Sequence, residues 1–232
     1  MSAMITKENV ILYAKNVRKN PLTLVGLVGI GLFIAVTGGV TLYRWHINRQ
    51  QRLAQLAFSE SLEVYHQAWA VDLTPELEAE KLGLWEEVEL AFKSAHEQNG
   101  SSTFGPFYVA FEAQAMAHQG KIQEAVDLLD KAMRALTKYP QFYYLFKTTQ
   151  ALILFEDKDQ QKAIDALKAV AMDEKNPMAA MAYFYLGEYY LYQQDQAHAK
   201  EAFNKAITTQ GNDVRFASPW MALAQAKVQQ LG

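Results

Sequence analysis

Apolar positions follow two regimes along this chain. From Leu22 to Tyr43 they run on without a single charge. From Arg44 onward they recur every three or four residues, the spacing that lines one face of an α-helix. The uncharged run, taken from the Asn20-Pro21 break as residues 21–43, predicts a transmembrane anchor. At ~1.5 Å per residue it reaches roughly 33 Å, against a hydrocarbon core of about 30 Å. Tyr43 and Trp45 stand where an interfacial aromatic belt is expected. The run is longer than the ~7–15 apolar residues of a cleavable signal peptide. No convincing small-x-small cleavage site follows it, so an uncleaved signal anchor is expected. Ahead of it, residues 1–20 set Lys7, Lys15, Arg18 and Lys19 among Ile5, Val10, Ile11, Ala14 and Val17. This basic segment is either a helix lying on the membrane surface or a solvated tail. It ends at Asn20, because proline disfavours the α region for the residue before it.

Between Arg44 and Ala70 neither Pro nor Gly intervenes, and Phe58, Leu62, Tyr65 and Trp69 keep helical spacing. The anchor helix is therefore expected to continue into a folded domain. Val71-Asp72-Leu73-Thr74-Pro75 predicts a turn, with Thr74 as N-cap and Pro75 at the first helical position. Residues 75–97 form the next helix, and Asn99-Gly100-Ser101-Ser102 a loop. The chain then divides into a long helix with its partner over 44–97 and a remainder over 104–232.

Residues 183–206 carry the most specific pattern. Tyr183-x2-Leu186-Gly187-x2-Tyr190 lines one helix face with bulk, and Ala199-x3-Phe203-x2-Ala206 continues it on a second helix. Gly187 and Ala199 are small where two helices must touch. This order of large and small residues resembles the tetratricopeptide repeat, a helix-turn-helix unit of about 34 residues. Aligned on the small alanine of the second helix, Ala125, Ala163 and Ala199 are 38 and 36 residues apart. Ala125-x3-Leu129-x2-Ala132 matches closely, with Gly120 at its turn. Ala163-x3-Leu167-x2-Val170 is a weaker copy, since Gln150 and Ala151 replace the Leu-Gly pair. Pro140 and Pro177 fall at repeat ends, where a helix stop is wanted. Val88, Phe92 and Ala95 occupy the same offsets, so the helix pair 58–97 is a degenerate first repeat. Trp220-x2-Leu223-Ala224 reopens the pattern as a C-terminal capping helix, since a solenoid end must be covered. The expected fold is all-α: one transmembrane helix, then a tetratricopeptide-like solenoid of three to four repeats with its cap.

Composition removes several functions. Half of the 232 residues are apolar and a fifth charged, enough for a packed core. A net charge of −3 argues against nucleic acid as a partner. Cysteine is absent, which removes disulfides, thiol nucleophiles and zinc–cysteine sites. His46, His66, His96, His118 and His198 show no metal-ligand spacing, and neither a Gly-x-Ser-x-Gly elbow nor a phosphate-binding loop occurs. The cluster of Gly26, Gly29 and Gly31 lies inside the apolar run, without a preceding soluble strand. No enzyme, metal, cofactor or small-molecule substrate is expected. In the anchor, Gly31, Ala35 and Gly39 form a small-xxx-small stripe suited to helix packing, although glycine is common in membrane helices.

The repeat resemblance implies that the first helix of each unit lines a concave groove. Carried onto this register it points to Phe107, Gln114, His118, Thr148, Leu152, Phe155, Phe184, Glu188 and Tyr192. That lining is apolar and aromatic, suited to a hydrophobic or helical segment of another protein. Alternatively, the protein's own long first helix fills it around Phe155, Phe184 and Tyr192. The lysine–asparagine clamp with which some such domains hold a C-terminal carboxylate is missing, because Ala110, Gln114, Thr148, Leu152, Phe184 and Glu188 occupy its positions.

The order of basic tail, single anchor, continuous helix and degenerate repeats resembles the YfgM family of bacterial inner-membrane proteins. This chain has a longer basic N-terminal segment than that family. The resemblance implies a place beside the SecYEG translocon and the periplasmic chaperone PpiD, handing on newly translocated polypeptides. Four Lys/Arg before the span against Arg44, Arg49 and Arg52 after it favour a cytoplasmic N-terminus and periplasmic repeats. A scaffold or assembly factor of a secretion, pilus or envelope complex is the alternative function.

Overall fold

The computed structural model describes residues 21–72, 78–156, 160–209 and 218–231, with all side chains in them except those of 21–38, 42, 72, 78–80 and 156. Among the described residues the structure is helical throughout. The helices are α1 (Pro21–Asp72), α2 (Glu78–Asn99), α3 (Gly105–His118), α4 (Ile122–Leu136), α5 (Pro140–Ile153), α6 (Gln160–Met172), α7 (Ala179–Tyr192), α8 (Gln196–Thr208) and α9 (Pro219–Leu231). A short 3₁₀ turn, Leu154–Glu156, follows α5. The chain divides into two compact units, Met1–Arg52 and Leu53–Gly232.

In the first unit the backbone of α1 is helical from Pro21. The basic segment 1–20 lies outside the described residues, as do the side chains of most of the expected span, including Gly31 and Ala35. Gly39 is exposed, with open space where a Cβ would stand. Among the described residues no helix is long and apolar enough to cross a membrane. Thr74 and Pro75, the expected start of the second helix, also fall outside them.

In the second unit each helix from α2 to α9 packs chiefly on its neighbours in sequence, the contact pattern of a repeat array. Apolar periodicity explains the core. Ala125, Leu129 and Ala132 on α4, Ala163, Leu167 and Val170 on α6, and Ala199, Phe203 and Ala206 on α8 are all buried to within 2%. Val88 and Phe92 on α2 are fully buried at the same offsets, with Ala95 at 7%. The tight contact falls where the small residues stand. A Cβ on Gly187 would overlap the ring of Phe203.

Two repeats turn by one device. After α3, the amide of Gly120 donates to Ala117 O (2.8 Å) and that of Lys121 to Met116 O (3.0 Å). After α7, Gln194 donates to Leu191 O (2.9 Å) and Asp195 to Tyr190 O (2.8 Å). Both are Schellman ends, which need a left-handed residue. Gly120 supplies φ +79° without strain, whereas Gln194 takes φ 62° against its Cβ. Pro140 opens α5 within its first turn rather than closing α4, which has already ended at Leu136.

The C-terminal part of α1 is built into the first core. Phe58 sits among Phe92, Phe104, Phe107, Tyr108 and Phe111, with ring centroids 5.3 to 6.2 Å away. The Tyr108 hydroxyl donates to Ala54 O at 2.5 Å. At the other end, Trp220, Val228 and Leu231 of α9 close the core of α7 and α8 around Phe184 and Phe203.

Candidate binding cleft

The end of α1, the hairpin α3–α4 and helix α5 enclose a cleft of about 560 Å³, within the range of ligand pockets. Trp69 comes from α1, Gln114, Ala117 and His118 from α3, Gly120 from the turn and Ile122 from α4. Thr149, Leu152 and Ile153 of α5 and Tyr185 of α7 complete it. Each side chain is set by helical spacing: Gln114 and His118 are one turn apart, and Leu152 follows Thr149 by three residues.

Aromatic stacking organises one wall. The His118 imidazole lies flat on Trp85, centroids 3.8 Å apart and planes 5° from parallel, and Trp69 meets it edge-on at 5.0 Å. The Tyr65 hydroxyl donates to Gln114 Oε1 at 3.1 Å, and the Gln114 amide donates to Ala110 O at 3.4 Å. Thr149 spends its hydroxyl on Leu145 O at 3.1 Å. Burial raises the phenols of Tyr185 and Tyr65, so both stay neutral. Among the described residues no Lys, Arg, Asp or Glu lines the cleft. Such a lining favours apolar groups and offers few hydrogen bonds to orient them. Among the described residues no three His, Asp or Glu gather to hold a metal.

A second cleft of about 460 Å³ between α2, α3 and α4 is charged, bounded by Lys93, Glu97, Glu112 and Lys131. Burial is the main cause that raises the Glu112 carboxyl, partly offset by Lys93.

Helical hairpins stacked in sequence, with the same buried triad on successive second helices, are the architecture of one repeat class. The profile of the tetratricopeptide repeat-like domain matches residues 19–232. The chain belongs to that family. No curated protein matches the chain. Tetratricopeptide repeat-like domains are typically non-enzymatic interaction modules, which suggests protein partners for this chain.

Within the tetratricopeptide register, three of the nine expected groove residues meet in the cleft: Gln114, His118 and Leu152. Others are placed differently. Thr148 is fully buried and donates to Tyr144 O at 2.8 Å, so it cannot touch a partner. Phe184 is also core, packed on Phe203 and covered by Trp220 at 5.4 Å. Glu188 is held by Lys227 of α9 at 2.8 Å. Phe107 packs edge-on against Phe142 at 4.8 Å and joins the Phe58 cluster. Phe155 stacks on Tyr189 at 5.0 Å, and Tyr192 stands 79% exposed. The long helix does cover part of the expected lining, but at Phe107 and Gln114. Phe184 is covered from α9 instead. Sequence reasoning missed Trp69, Ile122, Thr149, Ile153 and Tyr185 as lining. The helical spacing of Trp69 with Tyr65 was its one available signal.

Proposed function

We propose that this protein is a membrane-anchored, non-enzymatic interaction module whose cleft between Trp69, Leu152 and Tyr185 takes an apolar or helical segment of a partner protein. The uncharged, aromatic lining of the 560 Å³ cleft carries this reading. An apolar segment gains ~25 cal/mol for each Å² it removes from water there, and among the described lining residues no fixed charge has to be desolvated to admit it. The anchor reading is supported by the uncharged run 22–43 on a helical backbone that continues to Asp72. Confinement to a bilayer raises the effective concentration of the module beside a membrane partner. The order of parts shared with the YfgM family supports the bacterial inner membrane, a cytoplasmic N-terminus, periplasmic repeats and a role beside SecYEG and PpiD.

A fluorescein-labelled apolar amphipathic peptide, titrated against the purified chain by anisotropy, tests the cleft. Leu152→Glu should weaken binding at least tenfold, because it buries a charge in that lining. Tyr192→Glu, at an exposed residue outside the lining, should leave binding unchanged. Unchanged binding by Leu152→Glu would reject the cleft. It would favour the second reading, a scaffold for a secretion, pilus or envelope complex, to which the exposed Leu82 (50%) and Leu90 (66%) on α2 are suited. Protease added to intact spheroplasts tests topology: digestion of the repeats fits a periplasmic domain, and protection until lysis a cytoplasmic one.

A further inference from the structure

Helix α1 carries a collar over residues 43–52 that the cleft does not explain. Tyr43, Arg44, Trp45, Arg49 and Arg52 are all exposed, Tyr43 at 66% and Trp45 at 59%. The Arg49 guanidinium lies over the Trp45 ring, 5.6 Å from its centroid, so cation and indole share one face. A solvated helix normally sets Glu or Asp three or four residues from each arginine. Here those positions hold Thr41, Asn48 and Gln55 among others, and no acid occurs between Glu8 and Glu60. None of the three arginines makes an ion pair among the described residues, while Glu8 apart every acid of the chain lies at or beyond Glu60. Exposed aromatics beside three cations with no ion-pair partner among the described residues call for an anionic partner that also accepts indole and phenol.

We propose that this collar binds the phosphate headgroups of anionic phospholipids in the leaflet where α1 leaves the bilayer; the proposal rests on the anchor reading given above. The helix rise sets the distances. At ~1.5 Å per residue Arg44 lies roughly 2 Å past Tyr43, Arg49 about 9 Å and Arg52 about 14 Å. The headgroup layer is only ~5–8 Å thick on each side of the core. Arg44 stands within that layer, and Arg49 reaches back into it along its aliphatic stem. Arg52 stands beyond it. Trp45 holds the interface level, as a ring with one apolar and one polar edge does.

The test uses full-length protein reconstituted in phosphatidylcholine vesicles, then native mass spectrometry in detergent with equal phosphatidylglycerol and phosphatidylcholine. Resistance of the reconstituted chain to alkaline extraction is read first, and release into the soluble fraction overturns the anchor and this inference together. With the chain retained, phosphatidylglycerol should be the preferred adduct. Each interfacial arginine contributes about fivefold, so R44Q/R49Q should reduce that preference by about 25-fold and R52Q by less than about twofold. Equal adducts of the two lipids on the native chain, or an unaltered preference in R44Q/R49Q, overturn the collar and leave the anchor standing. A preference lost only in R52Q overturns it too, since the depth argument then fails.

Discussion

Gly187 shows how much one missing methyl group decides. Replacing it by alanine gains up to ~1 kcal/mol of helix propensity. The added Cβ, however, would overlap the ring of the fully buried Phe203, which would have to shift within the core. Overpacking of that kind costs about 1–3 kcal/mol. Gly187→Ala should therefore lower the urea midpoint of the Leu53–Gly232 unit by an amount worth up to about 2 kcal/mol, with an unchanged slope. This position was legible from the sequence, because a glycine between bulky residues on an apolar helix face has few other reasons to exist. Gln194 was not legible in the same way. Its left-handed φ is imposed by the hairpin geometry, against its own preference.

Between elements, a pH-sensitive bond ties α5 to Asp173, the residue after α6. Tyr144 donates to Asp173 Oδ2 at 2.7 Å. Burial, and then this bond to a carboxylate, push its phenol from the ordinary 10 up to about 12. The phenol is neutral in both states below pH 10. Between pH 10 and about 12 the unfolded chain loses a proton that the folded one keeps, so stability falls as pH rises through that window. Chemical denaturation from pH 9 to 12 should show that fall in the native chain, and Tyr144→Phe should flatten it. Asp173 has the opposite sense. Its carboxyl is lowered, first by the Tyr144 bond, so its contribution disappears as pH falls below the ordinary aspartate value.

At this same scale the groove was only partly readable. Repeat register identifies the first helix of each unit, and three of its positions do line the cleft. But a helix in a solenoid is covered by its own partner and by the units on either side. Periodicity separates apolar from polar and does not say which neighbour covers which apolar position, so Thr148 and Phe184 read like Leu152. Glu188 read as open because Lys227, its partner, is 39 residues away.

For the whole molecule, the array of hairpins was legible because each unit repeats the same local problem and solves it with the same small and large residues. The partners of α1 were less legible: repeat spacing pairs 58–97 as a degenerate first repeat, but it does not say which ring each apolar position of that helix meets. Its Phe58, Leu62, Tyr65 and Trp69 showed helical spacing, and only packing assigns them to Phe92, Phe111, Trp85 and His118.

That assignment determines where the chain can be cut. Trimming at the predicted turn near residue 75 to obtain a soluble fragment would strip four large apolar side chains from a core that includes Trp85 and Phe92. It would also leave the Tyr108 hydroxyl without Ala54. A fragment beginning at residue 53 should be monomeric in size-exclusion chromatography and melt in one cooperative step. One beginning at residue 78 should bind a hydrophobic dye and aggregate. A protease that releases the repeats from a membrane would, by the same logic, keep them folded only if it cleaved on the anchor side of Leu53.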